Sequence, residues 1–238
     1  MIDILYIKGK PSDNQDEEMK YSLRTLQRHV LDAGRVFITG QCPDFINQEE
    51  VIFTPVEDIG APMINHWWKV DQTIRKTDIS QNFVLMYDDI FFVKDVKLSK
   101  YPLYNKGFLW EIQTGGPVYQ QSLRNANEWL YENYKTGYDF ELHIPFIYNK
   151  TKFKRLREVF EKIRGEYPGM AVRSVYGNLY QPDDKRIYRR DIKIRLPNEW
   201  PQEVIGNADC FSVSDFAFQF RTKQYLEENY KERSKYEK

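Results

Sequence analysis

Cysteine is scarce: Cys42 and Cys210 are the only two in 238 residues, far apart and outside any CxxC pair. Neither a disulfide framework nor a structural zinc site is supported, and a reducing, cytoplasmic setting is expected. Net charge is missing as well. Lysine plus arginine number 35 and aspartate plus glutamate 35, so no global field draws the chain to nucleic acid or an anionic membrane. No apolar run approaches the roughly 18 residues of a membrane span, and the start Met1-Ile2-Asp3 lacks the charged and apolar regions of a signal peptide. A soluble, unprocessed protein is expected. There is no internal repeat, low-complexity tract or long linker, so a single domain is favoured at this length. The first loop carries neither G-x-G-x-x-G nor G-x-x-x-x-G-K-[ST], which argues against a standard dinucleotide fold and a P-loop ATPase. No Ser-His-Asp set, H-E-x-x-H motif or nucleophilic cysteine motif competes.

What the chain does carry is aromatic side chains, 16% of residues, which suit an aromatic core or stacking against sugars and bases. It also carries the segment Phe83-Val84-Leu85-Met86-Tyr87-Asp88-Asp89-Ile90-Phe91-Phe92. An apolar run of strand length stops there at two adjacent carboxylates. In open α/β sheets ligands gather beyond the carboxyl ends of the strands, so Asp88 and Asp89 are candidates for a hard cation such as Mg²⁺ or Mn²⁺ beside a nucleotide. A solvated Asp-Asp turn is the alternative.

The order of elements supports an α/β fold. Ile2 to Ile7 reads as a buried strand, followed by a polar loop, Lys8 to Asn14, with Gly9 and Pro11. Met19, Leu23, Leu26 and Val30 recur at helical spacing, with Asp16, Glu17 and Glu18 in the first turn and Gly34 as the stop. Strands are expected at 35–39 and 51–56, then a helix over 62–76 leading to the acidic strand. Further on, Leu123, Ala126, Leu130 and Tyr134 share a helical face, as do Phe153, Leu156, Phe160 and Ile163. Between them, 138–146 alternates: Tyr138, Phe140, Leu142, Ile144 and Phe146 face one way and Asp139, Glu141 and His143 the other, as in a half-exposed strand. Lys152, Lys154, Arg155, Lys185, Arg186, Arg189, Arg190, Lys193 and Arg195 make the second half locally cationic. A short strand at 210–214 precedes Asp215 and a charged helix.

Individual residues carry two readings each. Lys20 and Arg24, four apart on the first helix, reach toward a diphosphate over the sheet edge or pair with Asp16 and Glu17 at the surface. His66, in Asn65-His66-Trp67-Trp68-Lys69, is a reaction-centre candidate or a packing histidine. Trp67 and Trp68 cannot face the same way. His143, beside Glu141, would complete a metal site with Asp88 and Asp89 or stand on a half-exposed strand.

Several segments together resemble one family. Asp16-Glu17-Glu18-Met19-Lys20-Tyr21-Ser22-Leu23-Arg24-Thr25-Leu26 resembles the "ELKYSLRS" signature of Stealth-type glycosyltransferases and sugar-phosphate transferases. Leu85 to Phe92 resembles their "YLNDDFF", Ile64-Asn65-His66 their "FNSH", and His143-Ile144-Pro145-Phe146 a later His-x-Pro element. Weaker similarity extends to Asp215, where the family has "ND" after a short strand. Two positions depart: the first family motif reads like "WVDGSD" where this chain has Tyr6-Ile7-Lys8-Gly9-Lys10, and Tyr87 replaces the Asn before the acids.

That resemblance implies a GT-A-like mixed sheet flanked by helices, with residues 1–95 as the nucleotide-sugar half and 96–238 as the acceptor side. It implies a metal-dependent transfer of a sugar from a nucleotide-diphosphate sugar to an acceptor hydroxyl; a short enzyme with a local basic surface could find that hydroxyl on a glycan or on a modified DNA base. Asp89, Asp88 and His143 would hold Mn²⁺ or Mg²⁺. Lys8, Gly9, Lys20, Arg24 and Asp88 would hold the donor, and His143, His66 and Asp215 are the candidate proton acceptors. The alternatives are sugar-1-phosphate transfer to a polysaccharide and a non-catalytic module that binds nucleic acid or glycan.

Overall fold

A computed structural model describes residues 1–10, 14, 16–111, 116–134, 137–163, 168–181 and 187–238. Pro11, Lys185 and Arg186, named above, and the side chains of Tyr134 and Ile163 lie outside the described residues. The first strand, β1 (Ile2–Lys8), is buried on both faces, and its alternate side chains feed two cores. Leu5 packs with Phe37, Trp67, Val70, Phe83 and Leu85, whereas Ile4 and Tyr6 pack with Met19, Leu23, Leu26, Ile38 and Met86. Such double burial is what a central parallel strand with helices on both faces requires. The helices are α1 (Glu17–His29) on one face and α2 (Pro62–Lys76) on the other.

The strands β2 (Ala33–Gly40), β3 (Val51–Pro55), β4 (Asn82–Met86) and β7 (Phe146–Asn149) complete a five-stranded sheet of order β3-β2-β1-β4-β7. All its pairings are parallel except β4 with β7. Gly34 lies inside β2 and is not the stop of α1, whose cap Val30 is already extended. Gly40 (φ 120°) lets the ends of β1 and β2 converge, since a Cβ there would fall 1.9 Å from the Lys8 carbonyl oxygen. α2 begins at Pro62 and ends at Lys76, as its periodicity predicts, and buries Trp67 while Trp68 stays half-buried.

After β4 the chain turns at Tyr87-Asp88-Asp89 and enters a second sheet, in which β5 (Ile90–Phe92) pairs with β10 (Cys210–Val213) and β10 with β9 (Lys193–Ile194). The acids therefore sit at the corner between two sheets. Two short strands, β6 (Tyr104–Asn105) and β8 (Ile187–Tyr188), pair nearby. α3 (Pro117–Tyr134) and α6 (Val172–Tyr180) cover the α2 side. The helix expected around Phe153 breaks at Leu156 into α4 (Lys150–Arg155) and α5 (Arg157–Ile163). α7 (Pro201–Ile205), α8 (Asp215–Ala217) and α9 (Lys223–Asn229) finish the single domain. Among the described residues no helix is long and apolar enough to cross a membrane.

The strand expected over 138–146 is absent. Phe140, Leu142, Ile144 and Phe146 are buried, as alternation requires, but Asp139 and Glu141 are buried too. The cause is how the backbone donors are satisfied. Tyr138 N–H donates to Asn178 Oδ1, Phe140 N–H to Ser174 Oγ, Glu141 N–H to Asp139 Oδ1 and His143 N–H to Asp191 Oδ1. Backbone pairing is confined to the start of the segment, where Asp139 exchanges hydrogen bonds with Lys106 and Gly107 and Tyr138 bridges Phe108; the other donors go to side chains, so an extended segment runs through the interior.

Candidate active site

A cleft of about 400 Å³ opens at the carboxyl ends of the parallel strands, lined by Ile7, Gly9, Asp58, Asn65, His66, Lys69, Tyr87, Tyr119, Glu141, His143 and Arg173 among others. This is where an open α/β sheet collects its ligands. Each wall is set by a different element. β1 delivers Gly9, α2 delivers His66 and Lys69, the turn after β4 delivers Tyr87, and α6 delivers Arg173.

Asp89 Oδ2 lies 3.0 Å from His143 Nδ1 and accepts from Lys193 Nζ at 3.1 Å, and Lys193 Nζ is 3.2 Å from the same imidazole nitrogen. A proton on Nδ1 satisfies the carboxylate and leaves Nε2 as the free base position. Burial acts to raise the Asp89 carboxyl, but His143 and Lys193 outweigh it and hold it below the usual carboxylate range. Asp89 Oδ1 is buried without a hydrogen-bond partner. Asp88, 28% exposed at its side chain, accepts from Lys8 Nζ at 2.9 Å, and Lys8 also pairs with buried Asp16 at 2.7 Å. Burial pushes the Asp88 carboxyl up against the pull of Lys8. For Lys8 itself, burial acts to lower the ammonium, and Asp88 and Asp16 together raise it above its ordinary value.

Behind these residues lies an ion pair that sequence reasoning missed. Arg173 Nε donates to Glu141 Oε2 at 2.9 Å and its Nη1 to the Leu142 carbonyl, while the N–H of Ser174 in the first turn of α6 donates to Glu141 Oε1. Burial would raise Glu141, yet Arg173 brings it below its ordinary range. The guanidinium sits 5.0 Å from the centre of the Tyr87 ring, and Tyr87 Oη reaches His66 Nδ1 at 3.0 Å. His66 Nε2 in turn meets Tyr148 Oη at 3.1 Å. Burial drives the His66 imidazole down to about 3, so it is neutral and bridges two phenols. One signal for Arg173 was available: a lone charge in the apolar run Met170-Ala171-Val172 and Val175.

Not every candidate converges. His66, Gly9 and His143 line the cleft, and Asp89 stands behind His143. Lys8 turns toward Asp88 and Asp16, with its carbonyl held by Lys69 Nζ at 2.7 Å. Lys20 instead covers the Phe45 ring, 5.1 Å from its centre. Arg24 makes a two-pronged pair with Glu237, at 2.9 and 2.7 Å, and binds the Tyr230 carbonyl. Asp215 is exposed at the start of α8. The cationic second half is partly internal, since Arg189 binds Asp209 at 2.6 Å and Lys193 binds Asp89.

A cation centre built from Asp88, Asp89 and His143 does not fit this arrangement. Each carboxylate already carries a lysine, and the His143 nitrogen that faces Asp89 is hydrogen-bonded to it. Among the described residues no group of three or more His, Cys, Asp or Glu side chains is placed to hold a metal ion. Of the three side chains Asp88, Asp89 and His143, Asp89 contributes a buried oxygen, Oδ1, without a hydrogen-bond partner.

Neither a family model nor a curated protein matches the sequence. Among solved structures the chain is similar to the galactosyltransferase LgtC, solved in complex with donor and acceptor sugar analogues, with a TM-score of 0.55 at 10% identity over 98% of each chain. The fold is the GT-A fold of that enzyme, a mixed sheet flanked by helices in one domain.

Proposed function

We propose that this chain is a glycosyltransferase that moves a sugar from a nucleotide-diphosphate sugar to an acceptor hydroxyl. The observation that carries the proposal is the Asp89–His143 pair, whose imidazole lines the cleft at the carboxyl ends of the parallel strands in this fold. In the reaction the acceptor oxygen forms a bond to the anomeric carbon while the carbon–oxygen bond to the diphosphate breaks. The electron pair of that bond leaves on the nucleoside diphosphate, and the hydroxyl proton passes to His143 Nε2, with Asp89 holding the imidazole in the required tautomer. Arg173 and Lys69 are the cations of the cleft lining, each paired with a carboxylate there, Glu141 at 2.9 Å and Asp58 at 2.5 Å, and they are the donors that a departing diphosphate would meet. No step is routed through a divalent cation.

LgtC was solved with both donor and acceptor sugar analogues, which supports a reading in which this chain too binds a donor and an acceptor. Residues 1–95 would supply most of the donor cleft and 96–238 the acceptor side, with His143 between them. Arg189 and Lys193 are engaged in internal ion pairs while Lys152, Lys154, Arg155, Arg190 and Arg195 are exposed, so the acceptor reading covers a glycan or a modified DNA base. Both cysteines are free thiols, in keeping with a reducing cytoplasm. The test is incubation with a panel of nucleotide sugars, following donor consumption by mass spectrometry. Consumption of one donor is expected, and loss of none would overturn the proposal. Isotope labelling of the sugar-linked phosphate separates glycosyl transfer, which leaves the label on the nucleotide, from sugar-1-phosphate transfer, which carries it into product.

A further inference from the structure

We propose that Lys8 and Lys193 occupy, as fixed side-chain charges, the place that a divalent cation would take at Asp88 and Asp89, so that transfer needs no bound metal. The inference rests on the glycosyltransferase proposal for its chemistry, but its charge arrangement stands on geometry alone. Two carboxylates at a strand end suit a hard cation only while their oxygens are free. Here Asp88 Oδ2 is 2.9 Å from Lys8 Nζ, and Asp89 Oδ2 is 3.1 Å from Lys193 Nζ and 3.0 Å from His143 Nδ1.

Both lysines are built into the interior. Their side chains are 5% and 16% exposed, and they come from separate elements, β1 and β9, so the fold delivers one ammonium to each acid from a different direction. Lys8 is further fixed by Asp16, a non-glycine residue at φ 61° whose carboxylate lies 2.7 Å from the ammonium. With Asp16 the cluster holds three carboxylates against two ammoniums, but the ammoniums lie directly against the Asp88 and Asp89 oxygens that a dication would need, and both would repel one. Asp89 Oδ1 and the second Asp88 oxygen remain, but oxygens of carboxylates already held by two ammoniums make a poor cation site. As the bond to the diphosphate breaks, Lys193, in contact with both Asp89 and His143, is the cation beside the reacting pair, while Lys8 holds Asp88 in place behind it.

The experiment has two arms. In the first, the wild-type protein is titrated with manganese(II) alone and free ion is read by electron paramagnetic resonance. The expected result is no loss of the free-ion signal, with saturable binding gained in the double variant Lys8→Met/Lys193→Met and lost again when Asp89→Asn is added. One wild-type manganese site that Asp89→Asn removes would overturn the proposal, whether or not the double variant folds. In the second arm, turnover of the donor identified above is measured after exhaustive chelation. It is expected to stay within about twofold of the untreated rate and to fall by at least about tenfold in Lys193→Met. A chelation-induced loss restored by manganese overturns the proposal. If no donor is consumed under any condition, the glycosyltransferase proposal fails, and the manganese titration still decides the role of the two lysines.

Discussion

His143 and Asp89 meet at 3.0 Å although 54 residues separate them in sequence, and the contact joins the acidic turn after β4 to the extended segment that precedes β7. An imidazole in this position needs its carboxylate for orientation, so the two should behave as a unit. His143→Ala is expected to lower turnover by at least about a hundredfold, as for loss of a general base. Asp89→Asn should cost a similar factor, because an amide no longer fixes Nδ1 as the donor, and the double variant should be little worse than either single one. Steady-state rates on the identified donor decide this. Independent, multiplying losses would break the unit apart.

Arg24 should act on stability and leave turnover alone. Its guanidinium is committed to Glu237 and the Tyr230 carbonyl, which fastens the C-terminal segment to α1. Glu237→Gln and Arg24→Ala are each expected to lower unfolding free energy by about 1–2 kcal/mol, the range for a charge-assisted pair that keeps some contact with water. Donor turnover should stay at the wild-type value. A raised KM for the donor in Arg24→Ala would return this residue to the donor site.

His66 should make the protein acid-sensitive. Its folded-state value of about 3 lies below the 6.5 of an unperturbed imidazole, because burial disfavours the charged form. Below pH 6.5 the unfolded chain takes up a proton that the folded chain refuses, so this group lowers stability as pH falls from about 6.5 toward 3. In His66→Gln, which keeps polar contact with Tyr87 and Tyr148, that contribution vanishes. Chemical denaturation across this range should therefore show wild type losing stability faster with acid than the variant. Parallel pH profiles would mean that His66 is charged in the folded protein.

How much of this was readable beforehand depends on the distance over which each interaction acts. α1 emerges from the helical spacing of Met19, Leu23 and Leu26, all buried, and β1 from a short apolar run that is buried on both faces. The corner at Asp88 and Asp89 emerges because an apolar run ends there. Period-two alternation over 138–146 correctly marks Phe140, Leu142 and Ile144 as buried, but it says nothing about whether a neighbouring strand or the side chains of Ser174, Asn178 and Asp191 take up the backbone donors. Arg24 was misplaced for a similar reason: helical spacing defines its face, while the segment that covers that face comes from the far end of the chain. Lys193 looks like one cation in a basic stretch until β9 pairs with β10 and carries it to Asp89.

Glu141 and Arg173 should show the largest energetic coupling in the protein. Both are nearly fully buried, at 1% and 3% exposure, so removing one leaves the other as an uncompensated charge in a low-dielectric interior. Arg173→Met alone is expected to cost about 3–5 kcal/mol of stability, and Glu141→Gln alone a comparable amount. The double variant should be less destabilised than the sum, because neither charge is then left unpaired and the remaining amide still accepts from the Ser174 N–H. A double-mutant cycle in urea reads this coupling directly. Strict additivity would mean that water reaches the pair in solution. The same cycle run on turnover separates the two duties of Arg173: if it only props Tyr87 and Glu141, the double variant recovers activity along with stability, whereas a guanidinium that meets the donor diphosphate stays lost in both variants.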